Sequence, residues 1–154
     1  MELLVDNEIK IWKWDKLLIK SPHSSAFQTP SFYELINNIS GLSAKAIAIK
    51  DNSELIAICV VTLQKESGIK GYFSRRAIIY GGPILISNDC KEALEYLICY
   101  LNKEYKRRSV YIETRNLSDY STYDEIFKNN GWGYIPYQNF IIDCSNKEIL
   151  LQKL

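Results

Sequence analysis

The sequence predicts a single mixed α/β (α+β) domain in which helices flank a largely antiparallel sheet. Two neighbouring apolar segments read as an antiparallel hairpin, and a long amphipathic helix begins near the middle of the chain. A strand, helix and strand pattern then follows, which adds a β-α-β unit to the hairpin. The 154 residues fit one domain of ordinary size.

Two short helices are predicted before the hairpin. Residues 9–20 carry an amphipathic pattern, and Pro22 restricts the backbone just beyond it. Thr29 followed by Pro30 is typical of a helix start, with a capping hydroxyl and a proline in the first turn. This second helix should end near Asn38. The side chains that it is expected to bury are Phe32, Leu35 and Ile36.

The hairpin should pair Ala44–Lys50 with Leu55–Leu63 across the polar turn at Asp51, Asn52 and Ser53. The helix from about Cys90 to Lys106 has one apolar face, and Asp89 with Glu92 suggests a capping box. The other predicted strands are Ile69–Phe73, Arg75–Tyr80, Ile84–Ile86, Val110–Thr114, a segment near Tyr134, and Asn139–Asp143. The other predicted helices are Tyr120–Asn129 and Lys147–Leu154, the second of which is apolar and suggests that the chain belongs to a longer protein.

Composition and charge argue against several classes of function. A net charge of +1 argues against a dedicated DNA- or RNA-binding domain. The four cysteines form no C-x-x-C pair and lie far from the single histidine, so we expect buried free thiols, no metal site and no bound cofactor. No apolar segment reaches the ~20 residues of a membrane helix, and the N-terminus does not resemble a signal peptide. We therefore expect a cytoplasmic protein.

Few residues are candidates for chemistry. Gly81-Gly82-Pro83 either lets a ligand approach the backbone or forms a bulge in the sheet. Arg75, Arg76 and Arg115 could bind a phosphate or carboxylate, although exposed arginines at strand ends are commoner. Glu113 could be a general base, but an ion pair with Arg115 is the favoured interpretation. His23 has no nucleophile or orienting group nearby in sequence, and its Pro-His-Ser-Ser neighbourhood predicts an exposed loop.

Several segments, in order along the chain, resemble the Fem-type (FemAB-like) aminoacyltransferases. Residues 25–32, Ser-Ala-Phe-Gln-Thr-Pro-Ser-Phe, are similar to the early F-x-Q-S/T-x-x-W segment of that family. Residues 80–85, Tyr-Gly-Gly-Pro-Ile-Leu, resemble its Y-x-G-P strand. Residues 112–115, then Phe127 with Gly131-Trp132, then 137–143 follow the pattern of its later half-domain.

The resemblance implies a GNAT-like fold over residues 1–154, with this chain as the first half of a two-domain enzyme of peptidoglycan biosynthesis. It implies that a muropeptide-like or other amine acceptor lies along this domain. The acyl donor, classically aminoacyl-tRNA in this family, would lie largely on a second domain. Phe32 and Leu35 replace the family's Trp-x-x-Lys, and Gly81-Gly82-Pro83 replaces its Pro-Arg-Gly-Pro. These departures fit a broader Fem-like acyltransferase group.

The resemblance thus implies the acceptor-binding half of an acyl- or aminoacyltransferase that forms an amide bond. Two alternatives stay open: a stand-alone GNAT N-acetyltransferase using acetyl-CoA, and a non-catalytic ligand-binding or interaction domain. No catalytic base can be named. The predicted substrate-binding residues are Gln28, Tyr80, Gly81, Gly82, Arg75, Arg115 and Tyr137.

Overall fold

A mixed sheet runs through the centre of the computed structural model, which describes residues 1–65 and 74–138. In these residues the strand order is β1-β2-β3-β4-β6, with β5 paired to β3. Neighbouring strands are antiparallel except β4 and β6, which are parallel. The strands are β1 (Glu2–Val5), β2 (Leu42–Asp51), β3 (Glu54–Gln64), β4 (Arg76–Gly81), β5 (Ile84–Leu85) and β6 (Tyr111–Asn116).

Helices cover both faces of the sheet. The helices α1 (Ile11–Lys20) and α2 (Pro30–Asn37) pack on one face, and α3 (Lys91–Tyr105) packs on the other with α4 (Asp124–Asn129) beside it. Both faces of β2 and β3 are therefore apolar and buried, as expected for strands enclosed between two layers. None of the helices within the described parts of the chain combines the length and apolarity required to span a bilayer.

Local signals predicted the hairpin and the main helices well. Asn52 takes a positive φ of 51° in the hairpin turn, a conformation that asparagine tolerates. The hydroxyl of Thr29 accepts a hydrogen bond from the amide of Phe32 at 3.1 Å, and Pro30 begins α2. The first helix ends at Lys20, before Pro22.

Other expectations were wrong. No side chain caps α3, whose N-cap residue is Cys90, so the capping box of Asp89 and Glu92 is absent. Leu35 is 56% exposed, because the buried face of α2 contains Ile36 and Leu35 lies outside that face. Residues 132–138 form no strand near Tyr134.

The boundaries differ elsewhere. β1 was not predicted at all, although it pairs with β2 from Glu2↔Lys50 to Val5↔Ile47. The helix predicted over 120–129 divides into a 3₁₀ turn at Ser121–Tyr123 and the short α4. The predicted strands at 69–73 and 139–143 and the helix at 147–154 lie outside the described residues.

Candidate functional site

The sheet contains a bulge where β4 passes into β5. Ile58 pairs with Ile84 and Thr62 pairs with Ile78, so residues 59–61 of β3 face the longer segment 79–83. The extra residues on one side make the chain bow outward at Gly81-Gly82-Pro83, as a bulge requires. Gly81 and Gly82 adopt φ values of 82° and 83°, which side chains disfavour. One of the two sequence interpretations, a bulge in the sheet, is therefore what the backbone shows.

Gln28 fills the opening that this bulge leaves between the strands. Its Oε1 accepts a hydrogen bond from the Val60 amide at 2.7 Å. Its Nε2 donates to the carbonyl oxygens of Tyr80 at 2.7 Å and Val60 at 3.3 Å. Gln28 is 0% exposed, and its own carbonyl accepts a bond from Trp14 Nε1 at 2.8 Å. The side chain thus replaces the ladder bonds that the bulge breaks, and we assign it a positioning role.

The two glycines allow close approach of two different loops. A Cβ at Gly81 would lie 2.2 Å from Ser25 Oγ, and a Cβ at Gly82 would lie 2.7 Å from Asn116 Oδ1 and 3.0 Å from Tyr120. Neither the 2.2 Å contact nor the 2.7 Å contact is possible for a real side chain without movement of the neighbours. Both glycines are needed by the packing of this chain itself, whatever ligand binds nearby.

Three aromatic rings gather on the α2 side of the bulge. The ring centroid of Tyr80 lies 6.0 Å from that of Phe27 and 6.3 Å from that of Phe32, and Phe27 and Phe32 are 5.4 Å apart. The Tyr80 hydroxyl accepts a hydrogen bond from Gln64 Nε2 at 2.9 Å. Phe27 is exposed, and Phe32 and Tyr80 are partly buried. We call these three residues the aromatic patch.

Arg115 extends the aromatic patch with a charge pair. Its guanidinium lies 5.3 Å above the Tyr80 ring centroid, and its Nε donates to Glu113 Oε1 at 2.7 Å. The predicted ion pair between Glu113 and Arg115 is therefore confirmed. That bond also raises the pKa of Arg115, so the group stays fully charged. Both side chains remain partly exposed, so a cation and an anion are available to a ligand beside the aromatic patch.

Two of the predicted site residues lie apart from this group. Arg75 precedes β4 at its opposite end, where its carbonyl accepts a hydrogen bond from Val110 at 2.8 Å. Tyr137 is 84% exposed in the irregular segment after Trp132. Gln28, Tyr80, Gly81, Gly82 and Arg115 are brought together around the bulge, while Arg75 and Tyr137 are not. Ligand contact by any of the seven stays a prediction.

His23 is buried, which corrects the expectation of an exposed loop. It is 8% exposed and its ring lies 4.7 Å from the ring of Tyr120 and 6.1 Å from that of Tyr123. Nδ1 lies 2.9 Å from Ser118 Oγ, and Nε2 lies 2.9 Å from Asn88 Oδ1. These partners are 95 and 65 residues away along the chain, so no local pattern could have identified them.

Two acidic residues and one lysine lie at the N-terminus of α3, where the amides of Cys90 and Lys91 are occupied. The Cys90 amide donates to the Ser87 carbonyl at 3.3 Å, and the Lys91 amide donates to the Asp89 carbonyl at 2.8 Å. Asp89 and Glu92 flank this turn. A helix start suited to a diphosphate would present free amides without nearby carboxylates. These two occupied amides and two carboxylates are unfavourable for a diphosphate at this end of α3.

Comparisons with known proteins identify the fold. No family model and no curated protein matches the chain. Among solved structures, FemX is 18% identical with a TM-score of 0.65; the match covers 85% of this chain and 32% of FemX. A ribosomal-protein-alanine N-acetyltransferase from Brucella melitensis biovar Abortus 2308 is 12% identical with a TM-score of 0.60, covering 93% of this chain and 99% of that one.

A third structure, the aminoglycoside N-acetyltransferase AAC(6')-Iy in complex with CoA, is 10% identical with a TM-score of 0.61; the match covers 92% of this chain and 98% of that one. At these identities the likeness concerns the fold alone. It confirms the predicted fold class, a GNAT-like mixed α/β domain with a largely antiparallel sheet flanked by helices. The chain spans about a third of the length of FemX.

Proposed function

We propose that this chain is the acceptor-binding domain of a Fem-like acyl- or aminoacyltransferase. The whole enzyme would join an activated carboxyl group to the amine of a muropeptide-like or related cell-envelope acceptor. The observation that carries the proposal is the aromatic patch with Arg115 and Glu113 beside it. The likeness to FemX, of which this chain spans 32%, supports a two-domain enzyme.

The charges of this surface suit an acceptor that carries both an amine and a carboxylate. Because Nε already donates to Glu113, Arg115 can bind a carboxylate or phosphate only through its Nη1 and Nη2 edge, and the planar group still allows two parallel hydrogen bonds there. Glu113 Oε1, 2.7 Å from Arg115 Nε, can accept a bond from the acceptor's ammonium group. The exposed ring of Phe27 offers an apolar face for sugar or peptide carbons. Stem peptides on a muramyl sugar have all three features.

The donor is better placed on a second domain than on this one. An acyl-CoA bound here would bring its diphosphate to a helix start, and at the start of α3 the amides of Cys90 and Lys91 are occupied, with Asp89 and Glu92 nearby. A second candidate, a stand-alone N-acetyltransferase, is favoured by one observation. The chain spans 99% and 98% of two acetyltransferases with the same fold, so a domain of this length is sufficient in those proteins.

Calorimetric titration distinguishes these functions. The chain is titrated with UDP-muramyl-pentapeptide and, separately, with acetyl-CoA. We expect saturable binding of the muropeptide and no heat from acetyl-CoA. Binding of acetyl-CoA alone would reject the acceptor-binding domain in favour of the N-acetyltransferase. If neither ligand gives a heat of binding, muropeptide binding by this domain is contradicted. The non-catalytic interaction domain then becomes the preferred hypothesis.

Arg115→Ala tests the surface itself. Loss of a charged hydrogen bond costs about 1.5–3 kcal/mol, so we expect Kd for the muropeptide to rise about 10- to 150-fold. Arg76→Ala is the matched control, because Arg76 lies over the Tyr111 ring at 6.0 Å on the same two strands but at their other end. Equal weakening by both variants would show that general charge, and not this surface, holds the ligand.

A further inference from the structure

Three loops converge near the carboxyl ends of strands β5 and β6, and each loop supplies one polar side chain. Asn88 follows β5, Ser118 follows β6, and His23 comes from the link between α1 and α2. His23 bonds both of the others at 2.9 Å, one through each ring nitrogen. Open α/β sheets bind ligands outside the carboxyl ends of parallel strands, and β4 and β6 are the parallel pair here.

We propose that Ser118, His23 and Asn88 form a nucleophilic site that accepts acyl groups from activated carboxylic esters. A nucleophile, a base within hydrogen-bond reach of it and a third group that orients the base define such a site. Ser118 is the nucleophile, His23 is the base, and Asn88 is a positioning residue. The site goes beyond amide formation at the aromatic patch and does not depend on it.

The hydrogen bonds determine which nitrogen carries the proton. With Asn88 Oδ1 facing Nε2, the Nε2–H of a neutral ring donates to that oxygen. Nδ1 then has a free lone pair and accepts the Ser118 hydroxyl. The Ser118 hydroxyl therefore lies within hydrogen-bond distance of the base, and a second side-chain hydrogen bond links it to Tyr120.

The surroundings hold the base and leave the nucleophile accessible. The rings of Tyr120 and Tyr123 pack against the His23 ring, and the Tyr120 hydroxyl donates to the buried carbonyl of Pro83. Burial raises the pKa of Tyr120, so this hydroxyl stays protonated. Ser118 is partly exposed, so an ester can reach it from solvent.

The reaction balances with water as the second substrate. Ser118 Oγ bonds to the ester carbonyl carbon while its proton moves to His23 Nδ1, and the bond to the leaving alkoxide breaks. The imidazolium returns that proton to the alkoxide. Water then attacks the acyl-serine, gives its proton to His23, and releases a carboxylic acid. His23 finally returns the proton to Ser118.

A fluorophosphonate probe tests the nucleophile directly. The serine oxygen attacks phosphorus and fluoride leaves, so the adduct can be located by peptide mass mapping. We expect one adduct, on Ser118, in the wild-type chain and in Ser121→Ala, a neighbouring exposed serine that serves as the matched control. Ser118→Ala should carry none. Labelling of Ser118 at no greater rate than Ser121 in the wild type would overturn the proposal, with no variant needed.

Variants of the other two residues separate a reactive site from a structural one. His23→Gln, checked for folding by circular dichroism, should slow the labelling of Ser118 by about 10²–10⁴-fold, the usual contribution of a general base. Asn88→Ala should also slow labelling, and Asn88→Asp should restore it, because aspartate offers the same acceptor oxygen. Unchanged labelling in a folded His23→Gln variant would refute the role of His23; if that variant does not fold, the wild-type adduct decides.

Discussion

Replacing Gln28 by alanine should strongly destabilise the fold, because its side chain bonds the backbone of Val60 and Tyr80 at the bulge. The substitution leaves the Val60 amide and carbonyl without the partners that Gln28 supplies, and both bonds are buried. Each orphaned buried group costs about 1–3 kcal/mol. The expected loss in the free energy of unfolding is thus about 2–6 kcal/mol, with a small cavity added. A domain of this kind has about 5–15 kcal/mol in total.

Urea unfolding followed by tryptophan fluorescence measures this loss. Trp14 is a suitable reporter, since its Nε1 donates to the Gln28 carbonyl. Gln64→Ala is the matched control, because Gln64 is only partly buried and bonds a side-chain hydroxyl, that of Tyr80. We expect Gln64→Ala to cost about 1 kcal/mol or less. Equal losses in the two variants would refute the view that Gln28 replaces the broken ladder.

Two further predictions concern sterics and thiols. Gly82→Ala should lower Tm well below Gly131→Ala, because both residues have a positive φ but only a Cβ at Gly82 meets a neighbour, Asn116 Oδ1, at 2.7 Å; similar Tm values would show that strain alone matters. In the native chain Cys99 should react with a thiol reagent and Cys59 should not, since Cys99 is exposed while burial shields Cys59 and raises its thiol pKa. The unfolded chain loses that Cys59 proton first, so stability should fall as pH rises above about 8.5, and Cys59→Ala should flatten this fall.

The exposure of the cysteines corrects one expectation from the sequence. We expected buried cysteines, but Cys99 is exposed on α3 and Cys90 is partly exposed. Free cysteine is usually buried, and nothing in a single sequence separates the exceptions. Cys144 lies outside the described residues.

Short-range patterns predicted most of the fold. The hairpin of β2 and β3 has continuous apolar segments around a polar turn, and α3 has apolar residues at helical spacing. The pair of Glu113 and Arg115 was also foreseeable, since residues two apart in a strand lie on the same face. In each case the interacting groups are close in sequence.

The elements that sequence reasoning missed depend on distant partners. β1 is four residues long and is recognised as a strand only through its pairing with β2. Gln28 looked like part of a binding motif, yet its hydrogen bonds reach 32 and 52 residues along the chain. His23 looked isolated for the same reason. Whether a polar residue is buried depends on these long-range contacts, so the neighbouring residues in the sequence do not reveal it.

One bulge positions both candidate sites, so a change at the bulge should affect both, and a change outside it can separate them. Gln28 holds the carbonyl of Tyr80 and so orients the aromatic patch, while the turn at Gly82 sends the Pro83 carbonyl to Tyr120, which packs on His23. A fold-preserving change at the bulge should therefore affect both sites, whereas Gln64→Ala should affect the patch alone. We expect Gln64→Ala to weaken muropeptide binding and leave fluorophosphonate labelling of Ser118 unchanged. Loss of both activities in Gln64→Ala would mean that the two sites are one.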